Sequence, residues 1–205
     1  KDVYPYLINK DQVLKPNDLW QVDITYIKMR KESIYLIGII DVCSRKLVGY
    51  VLSKRMTAEA FLDTLNQALK MGKPIMINSD QGSQFTSNVW IDSLKAQDII
   101  ISMNGVGRCY DNIFIERAWN SIKDECVYLY SFDTFEEAEA TIVNYIELYN
   151  SERLHMSLNM NTPDSVYHGL NSDGSFTPAC PLKGTLRYFV NAYADKNSAK
   201  KTVNV

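Results

Sequence analysis

The chain has no pair of cysteines at zinc-knuckle spacing, no excess of basic charge, and no apolar run of the ~20 residues that a bilayer crossing needs. Each absence excludes something. Cys43, Cys109, Cys126 and Cys180 are scattered without a CxxC pair, which argues against a structural zinc site and a disulfide framework and reads as reduced thiols. The N-terminus lacks a signal-peptide pattern, so a cytoplasmic protein without a membrane partner is expected. With 22 Lys and Arg against 24 Asp and Glu, and a pI near 5.7, the chain lacks the basic surplus of a domain that lives wholly on phosphate backbones. Nucleic acid as a sole partner would then need cations from other segments. There is no internal repeat.

What remains is an ordinary globular composition, 46% hydrophobic and 22% charged, which excludes disorder. Its 205 residues suffice to bury roughly 70% of the surface exposed on unfolding. Residues 1–16 read as a linker from a preceding region, with Pro16 and Asn17 of "LKPND" marking the boundary. From Leu19, "LWQVDITYIKM" alternates, with Trp20, Val22, Ile24 and Tyr26 on one face and Asp23 and Thr25 on the other, which predicts a strand. "SIYLIGIIDV" is a near-continuous apolar run, expected of a strand covered on both faces, and "KLVGYVLS" follows as a third strand of an antiparallel meander. Thr57 is placed to cap a helix running to about Lys70, with Phe61, Leu62, Leu65, Ala68 and Leu69 inward, and Gly72 and Pro74 end it. "PIMIN" is a short strand that delivers Asp80 to its carboxyl end. A helix near 87–96, a strand "DIIIS" and a glycine-bearing loop "MNGVGRC" come next. Asp111 is placed to cap a further helix with Ile115, Ala118, Ile122 and Cys126 at helical spacing. An amphipathic helix follows, with Ala138, Ile142, Tyr145, Ile146 and Tyr149 inward. The expected organisation is a core over 17–130, a helical extension over 131–168 and an irregular tail over 169–205. The element order predicts a mixed α/β sheet flanked by helices, a class that binds ligands at the carboxyl ends of strands.

Three acids stand out: Asp23 on the first strand, Asp80 just past the fourth, and Glu116 one turn into a helix. Taken singly, an Asp after a strand is an ordinary cap, and a Glu in a first helical turn complements the helix dipole. If strands one and four are neighbours, however, Asp23 and Asp80 share one edge of the fold, and Glu116 on a helix packed across that edge closes the cluster. Crowded carboxylates raise one another's pKa unless a cation sits among them, and an all-oxygen donor set suits Mg²⁺ or Mn²⁺. Two such ions would suit phosphoryl displacement.

The segments "LWQVDITYI", "YLIGIIDVCSRKLVGY", "NSDQGSQFTS", "SMNGVGRCYDNIFIERAWNSIKDE" and "YIELYNSERLHMSL" resemble the DDE transposases of bacterial insertion sequences, specifically the third insertion-sequence family with its retroviral-integrase-like core. The resemblance spans roughly residues 15–168, and the 35 residues between Asp80 and Glu116 match the family's separation. It implies an RNase H-like five-stranded fold, a catalytic and metal-binding triad of Asp23, Asp80 and Glu116, and a pair of Mg²⁺ or Mn²⁺ ions. It also implies DNA 3′-end cleavage and strand transfer by a nucleoid-associated homo-oligomer whose partners are element ends and target DNA. Lys123, on one helix face with Glu116 and Asn120, corresponds to a residue that touches the DNA backbone. Gln84 reaches for a base edge or sugar beside Asp80, Thr25 for phosphate, Asn112 shapes the loop into the helix while capping it, and Asn112 and Asn120 are expected among the DNA contacts. Arg153 and His155 match a downstream element, with Leu154 where the family has proline, and Arg153 contacts DNA or serves structure. Trp20 and Trp119 read as core aromatics. Two rivals stay open: an RNase H-like nuclease that cuts without joining, and a catalytically retired DNA-binding or assembly module. In the resemblance, sequence-specific DNA binding belongs to an N-terminal helix-turn-helix region outside this sequence.

Overall fold

The computed structural model describes residues 3–8, 13, 15–105 and 112–169. The alternating segment forms β1, Leu19–Lys28, and the apolar run forms β2, Ser33–Asp41, paired antiparallel with Asp23 opposite Gly38. β3, Leu47–Ser53, completes the antiparallel meander, with a bulge between Ile39 and Ile40. Helix α1, Ala58–Met71, starts at Thr57, whose side chain accepts from the Ala60 amide, and ends at Gly72. The chain then returns as β4, Met76–Ser79, parallel to β1. Helix α2, Asn88–Ala96, carries it to β5, Ile100–Met103, parallel to β4. The sheet order is therefore β3-β2-β1-β4-β5, with β1 at the centre and β4 beside it.

Helices cover both faces. Trp20, Val22, Ile37 and Ile39 pack with Phe61, Leu65, Ala68, Trp90 and Leu94 of α1 and α2. On the opposite face Ile27, Leu36 and Ile40 pack with Ile115, Ala118, Trp119 and Ile122 of α3, Ile113–Glu125, and with Ala138, Ile142, Ile146 and Tyr149 of α4, Phe135–Ser151. Tyr145, expected inward, is only half-buried and donates its hydroxyl to Glu125. A short α5, Pro163–Tyr167, capped by Thr162, was not expected, because five residues carry no readable period. Cys43 and Cys126 are buried free thiols, as the spacing predicted. Cys109, Cys180, the Asp111 cap, most of the glycine-bearing loop and the tail beyond Gly169 fall outside the described residues. No described helix is long and apolar enough to cross a membrane.

One side chain stands in for a neighbouring strand at the sheet margin. Asn150 near the end of α4 accepts from the Leu47 amide and donates to the Leu47 carbonyl, both at 3.0 Å, with its own residue 8% exposed. Asn150→Leu would leave both backbone groups buried without partners. An unsatisfied buried group costs about 1–3 kcal/mol, so a loss of about 2–4 kcal/mol is expected in urea unfolding. A loss below about 0.5 kcal/mol would mean that water replaces the amide.

Candidate active site

The site begins with register. Gln21 of β1 pairs with Asn78 of β4, and extending that parallel register by two residues sets Asp23 beside Asp80. Neighbouring strands lie roughly 4.8 Å apart, so the two acids leave adjacent strands on the same face. Asp80 sits one residue past β4, where no ladder constrains it, and its Oδ1 accepts from the Gly82 amide at 2.7 Å. A Cβ at Gly82 would stand 2.8 Å from Asp80 Oδ1 and 2.7 Å from Gln84 Nε2, so a side chain there would displace the ends of both. Downstream, fully buried Phe85 packs edge-on against Phe61 and Trp90, and Ser87 caps α2, so the loop is anchored at its far end.

Helix α3 is tied to β1 at two points. The Gln21 side-chain oxygen accepts from the amides of Phe114 and Ile115 at 3.2 and 3.3 Å, satisfying donors that a helix N-terminus leaves open. Four residues further along the helix, Trp119 Nε1 donates to Asp23 Oδ2 at 3.1 Å. Two residues of strand advance ~6.6 Å and four residues of helix ~6 Å, so the helix runs along the strand with matching pitch. Glu116 lies between the two ties, exposed, on the first turn of α3. Gly38 opposite Asp23 leaves room for the indole: a Cβ there would stand 2.4 Å from Trp119 Cη2.

A second group of amides braces the floor. Asn78 Nδ2 donates to the side-chain oxygens of Asn104 (2.6 Å) and Asn112 (3.3 Å), and Asn112 Nδ2 donates to the Val22 carbonyl at 3.1 Å. Asn112 was expected to cap α3 and touch DNA. It makes no capping bond and is 3% exposed, because its amide is used inside to fasten the helix start to β1 and β4.

Electrostatics link the three acids. Burial lifts Asp23 from the ordinary 3.8 to about 6, opposed by hydrogen bonds from the Ile24 amide and the Trp119 indole and reinforced by the charges of Asp80 and Glu116. The carboxylates therefore feel one another, as the sequence predicted. They do not close: among the described residues no group of three or more His, Cys, Asp or Glu stands in metal-holding geometry. The donor set is nonetheless all oxygen, and its mutual repulsion is what a hard divalent cation relieves, so the residues fit Mg²⁺ or Mn²⁺.

The charge on Asp23 costs folding free energy that grows as pH rises from about 4 through about 6, since folding favours its protonated form. Asp23→Asn removes that cost while keeping an acceptor for the indole. Denaturant unfolding in chelator is expected to show stabilisation on the order of 2 kcal/mol at pH 8 and little at pH 4. Equal effects at both pH values, or destabilisation at pH 8, would contradict the origin given for the shift.

The other candidates divide. Asn120 is exposed and Lys123 half-buried beyond Glu116 on α3, and Lys123 forms no ion pair among the described residues. Gln84 is half-buried beside Asp80, its Oε1 accepting from the Ser83 hydroxyl. Thr25, expected on phosphate, is 5% exposed, since α3 and α4 cover the face of β1 that alternation alone left to solvent. Arg153 is held by Glu125, with Nε 2.9 and 3.1 Å from its two oxygens, and that pair holds the Glu125 carboxyl down at about 2. His155 is buried edge-on against Tyr149. Sequence reasoning missed Gln21 and the functional side of Trp119. A polar residue two before Asp23 and an indole three after Glu116 were the available signals.

This sheet order, with Asp23 inside the central strand, Asp80 just past the end of its parallel neighbour and Glu116 on the helix across them, is that of an RNase H-like integrase core. Two family models described as Integrase core domain match residues 14–109 and 97–163. The chain is 38% identical over 144 residues to "Transposase InsF for insertion sequence IS3A" of Escherichia coli K12, covering 68% of this chain and 50% of that protein. It is 37% identical over 166 residues to "Transposase for insertion sequence element IS904" of Lactococcus lactis, covering 78% and 65%. The chain thus spans about half to two thirds of the length of these relatives. In fold it is similar to the HTLV-2 integrase catalytic core domain solved in complex with magnesium, with a TM-score of 0.60, 22% identity, and coverage of 77% of this chain and 100% of that one. The chain belongs to the DDE transposases of the IS3 family.

Proposed function

We propose that this chain is the catalytic core of a transposase that cleaves DNA at the 3′ ends of an element and joins them to target DNA. The observation that carries this reading is the placement of Asp23, within the central strand, beside the end of β4 where Asp80 lies, with Glu116 on a helix that Gln21 and Trp119 hold along β1. Asp23, Asp80 and Glu116 would hold a pair of Mg²⁺ or Mn²⁺ ions, the magnesium-bound HTLV-2 core being the supporting likeness. When bound, such ions activate an attacking oxygen and stabilise the leaving one. The residues then have distinct tasks. Trp119 orients the Asp23 carboxylate through Oδ2, and the Gly82 amide orients Asp80 through Oδ1. Glu116 completes the set by a side-chain or first-turn adjustment. Lys123, Asn120 and Gln84 steady the DNA around the scissile phosphate, whose negative charge the acids alone would repel. DNA ends and target are the substrates, in a homo-oligomer acting in the bacterial cytoplasm.

The test supplies duplexes with recessed 3′-OH ends, a supercoiled target and Mg²⁺. Joined products support the reading. Metal-dependent nicks without joining identify a hydrolytic nuclease, and no metal-dependent change in DNA identifies an assembly module.

A further inference from the structure

Helix α3 is fastened to β1 near its start by Gln21 and at mid-length by Trp119. Its far end is held as well, by side chains that take no part in the chemistry proposed above. Glu125, the last residue of α3, accepts from Arg153 Nε through Oε2 at 2.9 Å and Oε1 at 3.1 Å, and Arg153 Nη2 also donates to Oε1. The Tyr145 hydroxyl donates to Oε2 at 2.6 Å. Both donors come from α4 or its exit: Tyr145 lies on the helix, and the Arg153 amide closes its last turn by donating to the Leu148 carbonyl. The Arg153 guanidinium also lies 5.9 Å over the Tyr149 ring.

That end of α4 is itself fixed, because Asn150 exchanges two hydrogen bonds with Leu47 of β3. The ties therefore close a circuit from β1 through α3, Glu125, Arg153, α4 and β3, and back through β2 to β1. A single exposed ion pair would be a weak link in it. Here Nε, Nη2 and a hydroxyl converge on one carboxylate. Arg153, and after it the Tyr145 hydroxyl, holds Glu125 down at about 2 against burial, so the charge persists at neutral pH. Arg153 also spends on Glu125 the forked edge with which an arginine grips phosphate.

We infer that Glu125 and Arg153 are positioning residues, which set the angle of α3 across the sheet and with it the place of Glu116. The inference rests on the catalytic reading for what Glu116 does. Ile115, Ala118 and Ile122 hold α3 against the sheet, but apolar contact is non-directional and leaves the swing of the helix to its polar ties. With Trp119 as pivot, Glu125 lies ~9 Å along the helix on one side and Glu116 ~4.5 Å on the other. A shift of about 1 Å at Glu125 then carries Glu116 about 0.5 Å the opposite way. Misplacement by about 1 Å can cost about 10²-fold in rate, so release of the clamp is expected to cost about tenfold.

The test compares the full chain with Arg153→Gln, Arg153→Lys, Glu125→Ala, and the double variant Glu125→Ala with Arg153→Gln, which cuts the tie while preserving net charge. In joining of duplexes with recessed 3′-OH ends in Mg²⁺, kcat of the double variant is expected to fall about tenfold with KM for DNA within about twofold. It should fall no further than the worse single variant, since both cut one tie. Arg153→Lys, which keeps the charge and loses the fork, should fall less than Arg153→Gln. Mn²⁺ affinity by calorimetry should drop about tenfold in the double variant, and in chelator amide exchange over 119–125 should quicken while β1 stays protected. Mn²⁺ affinity and amide exchange both unchanged in the double variant would overturn the inference. So would a kcat restored by cooling the assay, which would reduce the pair to global stability. A DNA-binding salt slope lowered by about one in the double variant, with kcat intact, would make Arg153 a phosphate contact instead. If the wild-type chain does not join DNA, the catalytic reading falls, while Mn²⁺ affinity and amide exchange still decide the clamp.

Discussion

Asp80→Asn is expected to reduce joining by at least about 10³-fold, equivalent to roughly 4 kcal/mol of barrier, while leaving the melting temperature nearly unchanged. The two halves of that expectation have separate causes. Asp80 lies past the end of β4, half-buried, and its one structural duty is to accept from the Gly82 amide at 2.7 Å. An asparagine oxygen can do the same. What it cannot supply is the charge, which the proposed role of the three acids as cation ligands requires. Calorimetric titration with Mn²⁺ should show the accompanying loss of affinity. Joining within tenfold of wild type would remove Asp80 from the chemistry, and with it the reading of the site.

Gly38→Ala is expected to be the most damaging small substitution, destabilising the fold by about 2–4 kcal/mol and depressing activity beyond that loss. The new Cβ would lie 2.4 Å from Cη2 and 3.1 Å from Cζ2 of Trp119, an indole packed 4% exposed among α3, β1 and β2. Nothing at the tip of a flexible side chain can yield here; the ring has to move as a plate, and its bond to Asp23 goes with it. Combining Gly38→Ala with Trp119→Phe separates the consequences. The smaller ring should recover much of the stability, a non-additive result, while the orientation of Asp23 stays lost. Full recovery of joining in the double variant would show that the indole only fills space.

Much of this was legible because strands advertise themselves by alternation and helices by period. The meander, the short strand returning after α1, the Thr57 cap and the delivery of Asp80 to a strand end all followed from side-chain order, whereas the parallel pairing with β1 came from the fold. What stayed hidden was the use made of ambiguous residues. An indole reads as core whether or not its N–H has work, so Trp119 passed as filling although it orients Asp23. Asn112 looked like a cap because asparagine before a helix usually is one; tertiary partners on β1 and β4 outbid the local bond. Thr25 was assigned to the wet side of β1 because a one-strand pattern cannot say that a second helical layer lies over that face. Arg153 was left between two roles, and only the fold brings it to Glu125, 28 positions earlier.

The interval of 35 residues between Asp80 and Glu116 served as a family mark, yet the tethering of α3 gives it a different standing. Glu116 is located from β1, by an amide oxygen below it and an indole above, whose separations on strand and helix nearly coincide. The count of residues leading to the helix is then a mark of lineage. The ruler that gauges the third acid against the other two is the backbone repeat of the central strand.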